Sequence, residues 1–158
     1  MANQPGAVYD TGMFTSLTGA ALDMVFARYA PTGGTDATLN RDQVTLHIDA
    51  PPEAVYALLA DVTRTPEFSP EILRCRWLGG ATGQAAGARF EAVNKIPRRP
   101  AWKNHPVAVA AEPGREFAFS RTEKIAGTLV WRYQLEPERT GTRLTESYQV
   151  AQPISRLG

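Results

Sequence analysis

One cysteine, Cys75, and two histidines, His47 and His105, stand in the whole 158-residue chain. A lone cysteine cannot close an internal disulfide and has no second thiolate with which to share a metal, so a reducing compartment fits best. Two histidines far apart, with no paired-carboxylate spacing, offer no metal site. The chain also lacks a Gly-x-Ser-x-Gly elbow, a phosphate-binding loop and a dinucleotide fingerprint. Gly79-Gly80 with Gly83 and Gly87 is glycine-rich, but it joins two strands and precedes no helix. It reads as a mobile connection at the mouth of a pocket. An excess of one charge is missing too: 17 Lys and Arg face 16 Asp and Glu. The longest basic block is Ile96-Pro-Arg-Arg-Pro100, which argues against nucleic acid. No apolar run is long enough to span a membrane, because the most apolar early segment carries Asp23 and Arg28. No Lys or Arg precedes Met13, as a signal peptide would require. The expectation is a cytoplasmic protein with no cofactor, no metal and no membrane span.

What the chain does have is alternation, strongest near its end. In Gly127–Leu135, Leu129, Trp131, Tyr133 and Leu135 alternate with Thr128, Val130, Arg132 and Gln134. In Thr142–Val150, Leu144, Tyr148 and Val150 share a parity with Glu146. The polar link Glu136–Gly141 between them has the residues of a hairpin turn. The pair therefore has one aromatic face and one wet face, and the aromatic face needs a cover.

The length suits one domain with a real core. Residues 1–42 read as an N-terminal extension, with an amphipathic helix over 13–29 and a linker, and 43–158 as the domain. Gln43–Asp49 alternates as a first strand. Ala50-Pro-Pro-Glu53 is a good helix entry, since proline fits the first helical turn, and Val55, Tyr56, Leu58, Leu59 and Val62 continue the helical stripe. A second short helical turn is expected around Arg64–Phe68. Further strands are expected over Ile72–Leu78, Ala88–Ile96, Trp102–Glu112 and Arg115–Glu123, with Pro106 imposing an irregularity. The order is a strand, two short helices, then six strands: an α+β domain with a meandering antiparallel sheet.

Four polar residues are expected on the apolar face of that sheet: Asn94, His105, Arg121 and Glu146. They are either ion pairs and rim residues at strand ends or the groups that orient a small molecule in a pocket. His105 and Glu146 are the candidates for moving a proton, and Arg121 for holding a carbonyl or enolate oxygen. The aromatic residues Tyr56, Phe68, Trp77, Phe90, Trp102, Phe117, Phe119, Trp131, Tyr133 and Tyr148 divide between core and pocket wall. Cys75 reads as structural and His47 as solvated.

The run Val44–Val62, then Glu67-Phe-Ser-Pro-Glu71, Cys75-Arg-Trp-Leu-Gly-Gly80, Gly87-Ala-Arg-Phe90, Glu112-Pro-Gly-Arg-Glu-Phe117 and Gly141-Thr-Arg-Leu-Thr-Glu146 resemble the START-like, or SRPBCC, superfamily of polyketide cyclases, lipid-transfer proteins and Bet v 1-type binders. The resemblance covers roughly Gln43 to Val150. It implies a helix-grip fold: a curved sheet of about seven strands, with two short helices after strand 1 and a long C-terminal helix over a hydrophobic cavity. Here the residues after the last strand are too few for that helix. The 13–29 helix, long enough to reach roughly 25 Å, is expected to replace it, on its own sheet or exchanged between two copies of a homodimer. The function implied is binding of a hydrophobic or polycyclic small molecule, lipid or polyketide-like. The alternative is a polyketide cyclase or dehydratase with an acid/base residue in the cavity.

Overall fold

The alternation near the end of the chain produces the longest strands among the described residues. In this computed structural model, which describes residues 8–9, 41–81, 85–123 and 127–152, β8 (Gly127–Glu138) and β9 (Gly141–Gln152) pair antiparallel over twelve residues each. Before them come β1 (Val8–Tyr9), β2 (Arg41–Ile48), helix α1 (Pro52–Ala60), a 3₁₀ helix (Val62–Glu67), β3 (Ile72–Trp77), β4 (Phe90–Asn94), β5 (Trp102–Asn104), β6 (Val107–Glu112) and β7 (Glu116–Glu123). The strands form a six-stranded sheet, β1-β2-β9-β8-β7-β6, and a three-stranded sheet, β3-β4-β5.

The two sheets are one bent surface. The Gly87 N–H donates to the Ala108 carbonyl at 2.8 Å, the Ala108 N–H to Ala88 at 2.8 Å and the Phe90 N–H to Pro106 at 3.1 Å, around a bridge between Arg89 and Val107. β5 and β6 are thus two halves of one strand, interrupted at His105-Pro106 because proline has no N–H for the ladder. Counted so, β2 to β9 make the seven expected strands in a helix-grip α+β fold.

Turn chemistry sets the junctions. Pro51 and Pro52 open α1, and Asp61 stops it and caps the 3₁₀ helix, accepting from the Thr63 N–H at 3.1 Å. The β8–β9 link is shorter than the sequence suggests, a two-residue turn at Arg139-Thr140 with Arg139 at φ 55°. Gly141, just after it, is obligatory: a Cβ there would overlap the Ile48 carbonyl and meet the His47 ring at 2.9 Å.

α1 lies on the inner face of the large sheet, against β7, β8 and β9. Val55, Leu58 and Leu59 bury fully there, each contributing about 1.5–3 kcal/mol relative to exposure. The core they join includes Val44, Leu46, Phe117, Tyr133, Leu135 and Leu144 from the large sheet and Cys75, Phe90 and Ala92 from the small one. The helix expected over 13–29, its role as a replacement cover and its exchange between copies lie outside the described residues.

Candidate functional site

Away from α1, the inner face changes character. Leu129 and Trp131 are buried there but lie outside the core cluster around α1, and the neighbouring side chains become polar and aromatic. Register places Tyr133 on β8 opposite Glu146 on β9, Trp131 opposite Tyr148, and Arg121 on β7 beside Leu129. The Trp131 and Tyr148 rings sit 5.4 Å apart at 40°. The Arg121 guanidinium lies over Trp131, 5.5 Å from its centroid, a cation–π distance.

Glu146 is the unusual member. It is 1% exposed and flanked by Val44 on β2 and Tyr133 on β8. Burial pushes its carboxyl up to about 8, against the opposing hydrogen bond with Tyr133. At neutral pH it is therefore a carboxylic acid, because desolvation disfavours the charged form. Tyr133 is raised well above the ordinary phenol range, first by burial and then by Glu146. The positive charge of Arg121 acts on Tyr133 in the opposite sense. Burial raises the Glu71 carboxyl, and the charge of Arg121 opposes that rise without cancelling it. Arg121 thus places a cation at this end of the face, set among Trp131, Tyr133 and Glu71.

The other expected residues fall in two places. Trp77, Phe90, Phe119 and Phe117 form a chain of ring contacts across both sheets: Trp77–Phe90 at 5.6 Å and Phe90–Phe119 at 5.5 Å, both edge-on, and Phe117–Phe119 at 6.2 Å. Tyr56 and Phe68 are buried in the core by α1 and the 3₁₀ helix. Asn94 is buried on the inner face of β4, opposite Trp102, and donates from Nδ2 to the Ala92 carbonyl at 3.3 Å.

His105 is on the other side of the sheet, contrary to the expected parity. Its side chain is 55% exposed and its Nε2 lies 3.4 Å from Glu91. The reason is local: Asn104 pairs with Ala92, so Trp102, Asn104, Pro106 and Ala108 take the inner face, and Lys103, His105 and Val109 point out. His47 is also on the outer face, but held rather than solvated, with Nδ1 3.0 Å from Glu138.

Reading the sequence did not single out Glu71 or Glu91. Glu71 sits in the turn before β3, where no periodicity assigns a face. Glu91 is recognisably outward from its strand parity, yet nothing in the pattern shows that Arg76, Lys103 and His105 converge on it at 3.1, 3.4 and 3.4 Å. Cys75, expected to be structural, is buried, and desolvation raises its thiol to about 11, opposed by a hydrogen bond with Thr65. It is a poor nucleophile at neutral pH. Among the described residues no group of three or more His, Cys, Asp and Glu is placed to hold a metal. None of their helices is long and apolar enough to cross a membrane.

Comparison with known proteins gives this face a context. A structure of a polyketide-cyclase-like protein from Corynebacterium glutamicum is 37% identical over 70% of this chain and 65% of its own, with a TM-score of 0.50. The di-domain aromatase/cyclase StfQ of the steffimycin biosynthetic pathway aligns at 17% identity over 69% of this chain and 35% of its own, with a TM-score of 0.59. Ara h 8.0201 aligns at 13% identity over 75% of this chain and 81% of its own, also at 0.59. The last two likenesses are of fold alone. No protein of curated function matches the chain. The model of the family described as polyketide cyclase / dehydrase and lipid transport matches residues 42–158, and with nearly three-quarters of its length so matched, this chain belongs to that family.

Proposed function

We propose that residues 43–158 form a ligand-binding domain, with 1–42 an extension, and that it holds a hydrophobic or polycyclic small molecule, lipid or polyketide-like, against the inner face. The observation that carries this reading is the buried Glu146 paired with Tyr133, with Arg121 over Trp131, in a wall completed by Leu129 and Tyr148. Apolar walls with a few convergent polar groups are how small-molecule sites are built. Ring and aliphatic surface removed from water would supply most of the affinity, at about 25 cal/mol per Å² before entropy costs. Arg121 and the Glu146–Tyr133 pair would orient the ligand's oxygen atoms.

Native mass spectrometry of the purified protein, set against its denatured mass, tests the reading. The expected result is added mass from a retained apolar molecule, or, for an empty protein, saturable quenching of tryptophan fluorescence by anilinonaphthalene sulfonate. An empty protein without saturable quenching overturns it. The same spectrum shows whether the chain is a homodimer.

One observation favours a catalytic reading beside it. A carboxyl held as an acid near neutral pH is suited to deliver a proton, and a guanidinium nearby to hold a developing oxyanion, as cyclisation or dehydration of a polyketide chain requires. Glu146→Gln separates the two readings: an enzyme loses turnover with binding retained, whereas a binding protein changes affinity alone.

A further inference from the structure

Charge is unevenly distributed along a chain that is close to neutral overall. Residues 72–106, which build β3, β4, β5 and their turns, hold seven of the 17 Lys and Arg but one of the 16 Asp and Glu, a net of +6 that leaves −5 for the remainder. The fold gathers much of this charge on one surface. On the outer face of the small sheet, Arg76 stands beside Glu91, and Arg74 and Lys103 flank Val93. The turn beyond β4 adds Arg98 and Arg99, both exposed. The single carboxylate does not cancel this field, because Glu91 is only 5% exposed and already held by Arg76, Lys103 and His105. A register shift between Ile72 and Arg74 accompanies an outward Leu73, which is 57% exposed among these cations.

We infer that this outer face of β3–β5 docks on the surface of a membrane that contains anionic lipids. Its cations are spread over a sheet face and a projecting turn, which suits a diffuse anionic surface. Leu73 is the apolar side chain that would enter the headgroup region. The face lacks what other anionic partners need. Single-stranded nucleic acid is gripped by aromatic stacking, but Trp77 and Trp102 lie on the inner side, paired with Phe90 and Asn94. A protein interface centres on buried aromatic or Arg anchors in an apolar patch, and the one large exposed apolar side chain of this face is Leu73. The inference does not depend on the occupant of the inner face.

Co-sedimentation of the full chain with vesicles tests it, using phosphatidylcholine alone and phosphatidylcholine mixed with phosphatidylserine. The expected result is binding to the mixed vesicles only, released by added salt. The triple variant R74Q/R98N/R99Q should lower partitioning about 100-fold, at about fivefold per cation. R115Q/R139N/R143Q, which removes the same charge elsewhere, should leave it nearly unchanged. Leu73→Ser should weaken binding to the mixed vesicles at low salt while leaving its salt dependence unchanged. Equal losses in the two triple variants, or binding that ignores salt, overturn the proposal. So does a chain that ignores the mixed vesicles, and retention of that chain on single-stranded DNA or polyglutamate would reassign the face to an acidic macromolecule.

Discussion

Glu146 and Glu91 occupy opposite faces of the same bent sheet, and water reaches almost none of either: 1% of Glu146 and 5% of Glu91 are exposed. Yet the carboxyl of Glu146 rises to about 8 and that of Glu91 falls to about 2. The difference lies in what covers them. Glu146 is covered by strand neighbours and aromatic side chains that replace water with little compensating charge, so desolvation wins. Glu91 lies under the long side chains of Arg76 and Lys103 and the His105 ring; a hydrogen bond from Arg76 and nearby positive charge outweigh its desolvation. Lost surface area alone therefore does not set the ionisation of a carboxylate. The inner face stores a neutral acid and the outer face a masked anion.

The largest expected effect comes from the inner carboxyl. Because the folded-state value of Glu146 is raised, its contribution to stability is complete below its unfolded value near 4.5 and is lost as pH rises toward 8. A shift of that size corresponds to about 5 kcal/mol. Denaturant unfolding of Glu146→Gln beside the wild type, at pH 5 and pH 9, should show the variant gaining several kcal/mol on the wild type across that interval. Parallel profiles would mean that Glu146 is ionised in the folded protein and would erase the contrast. Next in size is a packing contrast between the same two faces. Phe117→Ala, at 0% exposure on the inner face, should cost about 3–5 kcal/mol, whereas Leu73→Ala on the outer face should stay within about 0.5 kcal/mol. Thermal melts of the two variants measure this directly. The smallest effect belongs to Glu91. Its folded-state value is depressed, so its contribution is present above about 4.5 and fades as pH falls toward 2. Glu91→Gln should flatten the acid limb of the stability curve without altering the alkaline limb; an alkaline change instead would place Glu91 in the same network as Glu146.

Much of the candidate site was legible in the sequence because strand alternation is a local signal. Leu129, Trp131, Tyr133 and Leu135 share a parity, Glu146 shares one with Leu144 and Tyr148, and the sheet keeps both sets on the inner face. His105 was misplaced because its alternation with Val107 and Val109 runs through Pro106 but marks the outer face, where Val109 is 45% exposed; a register shift beyond Ala108 returns the parity to the inner face only at Ala111, opposite Phe117. Glu71 was illegible because a turn residue has no face until the strand after it is docked. The grouping of Trp77, Phe90, Phe119 and Phe117 depends on the bend between the two sheets, which rests on the hydrogen bonds of Gly87, Phe90 and Ala108 and has no sequence period.

The sequence by itself determined the element order, the helix entry at Pro51-Pro52, the apolar side of each long strand and the chemistry available there, because these depend on backbone stereochemistry and on neighbours a few residues apart. Only the tertiary structure decided that Glu146 is an acid and Glu91 an anion, that Arg121 stands over Trp131, and that Arg74, Arg76, Lys103 and the Arg98-Arg99 turn share one surface. Those outcomes depend on charges and dielectric set by residues distant in the chain, and distance through space follows from packing.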